Sequence, residues 1–155
     1  MKGWLLDTNV VASLTSPGGA PTVKAWLAAQ DEARLYLSIV SLAEYDKAIH
    51  QLPEADPRRA RYAANRDAIE ARFGARVLPV SNGVIRRWGA IAGRVKRDIG
   101  HPPPVIETLL AATALEAGLF LVTRNTKDVA RSGAVVFNPW EDDPAGFTLA
   151  SDSSV

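Results

Sequence analysis

Gly118-Leu119-Phe120-Leu121-Val122-Thr123 is a glycine followed by an unbroken apolar run that ends on a small polar residue. A short run of this kind, bounded by turn signals, reads as a strand buried on both faces, the kind found in parallel sheets. Before it, Val105 to Ala117 reads as a helix that Gly118 stops. Working outward, Trp4-Leu5-Leu6 and Leu35 to Ile39 read as two further strands. Val77 to Val80 is a shorter one, interrupted by Pro79 and therefore suited to an edge, and Ala134 to Phe137 is the last.

The segments between these runs carry helix signals. Pro21 opens a helix expected to run to about Ala33. Ser41 is a plausible N-cap with Glu44 three residues on, the capping-box pattern, ahead of a helix that ends before Pro53. Asp56-Pro57 opens another that continues to Phe73, and Ser81 starts one that stops at Gly100. His101-Pro102-Pro103-Pro104 is a rigid connector that aims Glu107. Strands alternating with helices predict an α/β protein: a three-layer α/β/α sandwich with a mainly parallel sheet of four or five strands. One domain over residues 1–141 is expected, followed by an acidic, Ser-containing tail over 142–155 read as mobile.

Acidic residues recur in matching places. Asp7 ends the first apolar run, Glu44 follows the second by a few residues, Glu107 opens the helix before the fourth strand, and Asp128 follows that strand. In an open α/β sheet the carboxyl ends of the strands line one crevice, so these carboxylates are expected to converge there. Like charges held together push one another's pKa upward, and a site that keeps them usually supplies a cation; hard oxygen ligands suit Mg²⁺ or Mn²⁺. For Glu44 the capping box is an equally good reading of the residue alone.

Composition excludes several other chemistries. The 155 residues contain no cysteine, which rules out disulfides, thiolate metal sites and a cysteine nucleophile. The two histidines, His50 and His101, have no metal-ligand spacing. No GxGxxG, GxxxxGK[ST] or GxSxG is present. No apolar stretch is long enough for a membrane span, so a cytoplasmic protein is expected. Arg58 to Arg97 holds eleven Lys or Arg against Asp67 and Glu70 alone. A block of that density suits a polyanion steered toward an acidic pocket, or equally the solvated faces of helices.

Five segments in register then resemble a known family. Leu5-Leu6-Asp7-Thr8-Asn9-Val10-Val11, Leu37-Ser38 with Leu42-Ala43-Glu44, Ala111-Ala112-Thr113-Ala114, Val122-Thr123-Arg124-Asn125 with Lys127-Asp128, and Phe137-Asn138-Pro139-Trp140-Glu141 resemble the PIN-domain toxins of bacterial toxin-antitoxin pairs, the VapC and FitB type. The resemblance spans residues 1 to 141. It implies a Mg²⁺- or Mn²⁺-dependent endoribonuclease held by a cognate antitoxin, which reaches operator DNA on the toxin's behalf, and it implies a homodimer. By the same resemblance Asp7, Glu44 and Glu107 match the first three acidic ligands, and the fourth position is shared between Asn125 and Asp128. Asn9 and Thr123 match the polar residues that orient the carboxylates, and Arg124 is expected to position the RNA backbone.

Departures from the family pattern cluster at the same place. Glu107 stands where Asp is usual, and its extra methylene moves a carboxylate by roughly 1.5 Å. A displacement on the order of 1 Å can reduce a rate about 100-fold. Ala12-Ser13 replaces a polar-acidic pair, and Asp46 replaces a basic residue. The alternative reading is a catalytically impaired module that binds the antitoxin and tunes operator binding.

Overall fold

The computed structural model describes residues 1–151 and holds one five-stranded sheet. The strands are β1 (Trp4–Leu6), β2 (Leu35–Ser38), β3 (Val77–Leu78), β4 (Phe120–Val122) and β5 (Val136–Phe137). They are ordered β3-β2-β1-β4-β5, and every pairing is parallel. The chain moves outward from β1 through β2 to β3, then crosses to the other side of β1 for β4 and β5. The order therefore reverses between β1 and β4, where Leu6 pairs with Val122, and this reversal is where an open parallel sheet forms its crevice.

Among the described residues seven α-helices connect the strands: α1 (Thr8–Thr15), α2 (Pro21–Ala28), α3 (Ile39–Gln51), α4 (Arg58–Phe73), α5 (Asn82–Ile99), α6 (Val105–Ala117) and α7 (Thr126–Val129). Side-chain alternation along β1 explains the layering. Trp4 and Leu6 point to one face, where they pack with Val10 and Val11 of α1, Val23 and Trp26 of α2, Leu42 of α3, and Ile69 and Phe73 of α4. Leu5 points to the other face, against Leu110, Ala111 and Ala114 of α6 and Val129 of α7. Helix α5 lies outside α6, with Val84, Ile91 and Val95 closing on Ala112.

Most boundaries follow the local chemistry read from the sequence. Gly100 and Gly118 end α5 and α6 with φ of 85° and 67°, left-handed values that glycine adopts without penalty. The Ser81 hydroxyl accepts from Val84 N at 3.2 Å, and Asp56 Oδ1 accepts from Arg58 N at 2.9 Å, so both act as helix caps. The strand carrying Pro79 at its exit, β3, is an edge strand as expected.

Two expectations are corrected. Helix α2 ends at Ala28, and a short 3-10 turn, Glu32–Arg34, follows, because Asp31 Oδ1 accepts from Ala33 N and starts a new turn. Helix α3 is capped by Ser38, whose hydroxyl accepts from Val40 N at 3.1 Å, not by Ser41. Ser41 is fully buried inside the helix with its hydroxyl unpartnered, so Glu44 belongs to no capping box. Residues 142–151, the described part of the segment read as a mobile tail, make contacts with the core. Phe147 packs its ring 4.7 Å from Phe137 and 5.4 Å from Phe120, Leu149 joins the same core, and Ala150 N donates to Met1 O at 2.7 Å. The remainder of the expected tail, 152–155, lies outside the described residues.

Candidate active site

Asp7 leaves the carboxyl end of β1 and becomes the N-cap of α1. Its side chain is 6% exposed and accepts three hydrogen bonds: from Thr8 N at 2.7 Å on Oδ1, and from Thr123 Oγ1 at 2.6 Å and Asn9 Nδ2 at 3.2 Å on Oδ2. Thr123, one residue beyond β4, is oriented in turn because its hydroxyl accepts from Asn125 N at 3.0 Å. The carboxylate thus spans the reversal between β1 and β4, locked by donors from both sides. Asn9 Oδ1 beside it is buried without a partner.

Glu44 lies nearly two turns into α3, and its Oε1 accepts from the Thr8 hydroxyl at 2.8 Å. Burial holds its pKa above the ordinary carboxylate range, and the nearby Asp7 and Glu107 charges add to that, against the Thr8 hydrogen bond and Lys47. The first turn of α6 carries Glu107, half-buried and close enough to act on Glu44. Three of the four expected acids therefore share one electrostatic neighbourhood. Beside Glu44, burial pushes the Tyr45 phenol up to about 12, with the Glu44 charge adding.

The fourth acid lies beyond β4. Asp128 is exposed on α7 and lines a cleft of about 360 Å³ with Arg124, Asn125, Lys127, Asn138 and Glu141. Arg124 is likewise exposed, with its guanidinium 5.2 Å from the Trp140 ring centroid. Asp46, read as an acid added to the rim, turns to α4: Arg66 Nε donates to its Oδ1 at 2.9 Å. Sequence reasoning missed Thr8 as the link between Asp7 and Glu44, since the residue entered only as part of the segment Leu5 to Val11. A hydroxyl directly after the first acid was the available signal.

Among the described residues, no group of three or more His, Asp or Glu forms a ready-made metal cage. The donor set nevertheless fits a Mg²⁺-type ion, which keeps several waters and takes only one or two direct carboxylate contacts. Three donors take three of the roughly four acceptor positions of the Asp7 carboxylate and leave one for a direct contact. Glu44 carries an ionisation cost that a cation would offset.

A parallel sheet flanked by helices on both faces, with carboxylates at its reversal point, defines a class of doubly wound α/β folds with an acidic crevice. Within that class, residues 4–132 match the PIN domain model, and the chain belongs to the PIN domain family. The chain is 29% identical over 138 residues to Toxin FitB of Neisseria gonorrhoeae, covering 89% of this chain and 99% of that one. It is 28% identical over 137 residues to VapC ribonuclease Y4jK of Sinorhizobium fredii, covering 88% and 97%. Among solved structures, FitAB bound to an IR36 DNA fragment matches with a TM-score of 0.78 at 27% identity, covering 90% of this chain and 97% of that one.

Proposed function

We propose that this chain is the toxin of a toxin-antitoxin pair and a Mg²⁺- or Mn²⁺-dependent endoribonuclease acting in the cytoplasm. The observation that carries the reading is the neighbourhood of Asp7, Glu44 and Glu107 at the reversal between β1 and β4, with Thr8 and Thr123 fixing two of the three. Family membership and the ribonuclease named among the relatives support it over an inactive module. The solved relatives include toxin-antitoxin complexes, some bound to DNA. A cognate antitoxin, operator DNA reached through it, and a second copy of this chain are the corresponding partners here.

Asp7, Glu44 and Glu107 would hold the metal, with Asp128 at the margin. When bound, the ion supplies a lowered pKa for water and neutralises charge on the phosphoryl oxygens. The protein supplies position. Asp7 is locked by donors from Thr8, Asn9 and Thr123, so its oxygens need no reorganisation during the reaction. Glu44, held beside Asp7 by the Thr8 hydroxyl, is placed to take a proton from the attacking water; the water oxygen bonds to phosphorus as the phosphorus–oxygen bond of the RNA chain breaks, and the leaving oxygen takes its proton from solvent. Arg124, stacked on Trp140 and exposed beside Asp128, faces solvent as a phosphate contact.

The test is RNA cleavage by the purified chain free of antitoxin, with Mg²⁺, with Mn²⁺ and with chelator. Divalent-dependent cleavage that disappears in Asp7→Asn is expected. Equal cleavage by both proteins, or cleavage that persists in chelator, removes this site from the activity.

A further inference from the structure

The basic block over Arg58 to Arg97 resolves into neutralised and free cations. Arg58 pairs with Asp56, Arg66 with Asp46 and Glu70, Arg72 and Arg76 with Glu32, Arg87 with Glu116, and Arg97 with Asp98. Arg59 donates to Leu52 O, and Arg94 to Arg131 O. Arg61, like Arg86 and Lys96, is in no ion pair among the described residues; its partner is the Tyr62 ring, with the guanidinium 5.6 Å from the centroid. Both residues line an open groove of about 600 Å³ together with Tyr45, Asn65, Ala12 and Thr15.

This groove adjoins the acids through two elements. Tyr45 directly follows Glu44 on α3, and Ala12 lies one turn beyond Thr8 on α1, on the same helix face. The groove therefore sets a guanidinium, an aromatic ring and an amide of α4 against Tyr45 and Ala12, which stand a residue from Glu44 and a turn from Thr8. The Tyr45 hydroxyl is buried and has no hydrogen-bond partner in the protein. Ala12 keeps the mouth free of a bulky or charged side chain.

We infer that this groove is a nucleotide subsite for single-stranded RNA, with Arg61 on a backbone phosphate, Tyr62 under the base, and Asn65 available to its edge. The inference rests on the ribonuclease reading and assigns to that reaction the place where the strand is held beside the cleavage point. Aromatic stacking with an adjacent cation is how proteins hold unpaired bases, whereas a duplex hides its base faces. Arg61 and Tyr62 are positioning residues here, remote from the reacting phosphorus.

The experiment measures binding of a labelled single-stranded RNA of about 12 nucleotides, a length within usual single-strand site sizes, by fluorescence anisotropy with Ca²⁺ in place of Mg²⁺. Tyr62→Ala is expected to raise Kd about tenfold, with Tyr62→Phe restoring it. Arg61→Ala is expected to weaken binding and to lower the slope of log Kd against log salt by about one, with Arg61→Lys recovering the slope. An oligonucleotide of the same length made duplex should bind more weakly and be indifferent to Tyr62. Unchanged Kd and slope in both alanine variants overturn the subsite, even if wild-type cleavage is intact. Loss of RNA affinity in both variants, with no cleavage by the wild type, keeps the subsite and sinks the nuclease. Variants that keep RNA affinity but lose a co-purifying antitoxin assign the groove to protein and overturn the inference.

Discussion

Thr123 donates its hydroxyl to Asp7 at 2.6 Å, joining two residues 116 positions apart. Thr8, directly after Asp7, donates in the same way to Glu44 at 2.8 Å. Two threonine hydroxyls therefore tie β1, β4 and α3 to one another through the acids they orient.

Asp7 serves both the fold and the site, and the two roles separate on substitution. Asp7→Ala removes the cap of α1 and leaves the Thr123 hydroxyl without its acceptor, a loss of about 1–2 kcal/mol in urea denaturation. Asp7→Asn keeps an acceptor oxygen for Thr8 N and should stay within about 1 kcal/mol of wild type. Mg²⁺ or Mn²⁺ should raise the Tm of the wild type, because a ligand of the folded state alone stabilises it by mass action. Asp7→Asn should lose most of that rise; an equal rise in both proteins places the ion elsewhere.

Glu44 should make stability depend on pH in an unusual direction for a carboxylate. Its folded pKa is raised above 4.5, chiefly by burial. Below the unfolded value it is protonated in both states and costs nothing. As pH rises from there through the folded value, the unfolded chain ionises first and stability falls. Glu44→Gln, measured without divalent ions, should therefore be more stable than wild type at pH 7 and equal to it near pH 3. The gain should be under about 1 kcal/mol, since the group is half exposed and solvent screens it. Cleavage by this variant should drop about 100-fold. Normal cleavage would return Glu44 to a structural role.

Glu107 tests reach. Its carboxylate already acts on Glu44 across the crevice, so the longer side chain is placed to serve the site as it stands. Glu107→Asp withdraws that charge by roughly one methylene and should lower metal-dependent cleavage between about 10- and 100-fold. A rise in cleavage on the same change shows instead that the methylene displaces a ligand, the outcome the family pattern alone favours.

The sequence made the sheet legible because its strands are continuous apolar runs closed by glycine, proline or a small polar residue. Gly118, Gly100 and Ser81 acted locally, so their helix ends could be read without the fold. Ser38 and Ser41 could not be told apart in this way. Both are good caps by local chemistry, and only the parallel pairing of Ser38 with Leu78 holds that residue extended so that α3 begins at Ile39. That choice turns Glu44 from a cap partner into a neighbour of Asp7. That the acids follow strand ends was readable, but the exposed course of Arg124 to Asp128 depends on the loop after β4, which no local pattern specifies.

Phe147 was hidden by its polar surroundings. Its ring contacts with Phe120 and Phe137 should make Phe147→Ala cost about 1–3 kcal/mol, less than a fully buried Phe because the side chain keeps some exposure. Urea denaturation measures it. A change below a few tenths of a kcal/mol would mean that residues 142–151 separate from the core in solution.

The bond from Ala150 N to Met1 O, with the Arg34 guanidinium donating to Lys2 O at 3.4 Å and to Ala150 O at 2.9 Å, brings the first and last described segments side by side. In such an arrangement the order of the elements along the chain is separable from their order in space. A short bridge across these ends, with new ends opened in the exposed turn at 53–55 between α3 and α4, leaves every strand pairing intact. The fold is thus a candidate for circular permutation, and the permuted chain would begin at α4 and finish with the helix that carries Glu44.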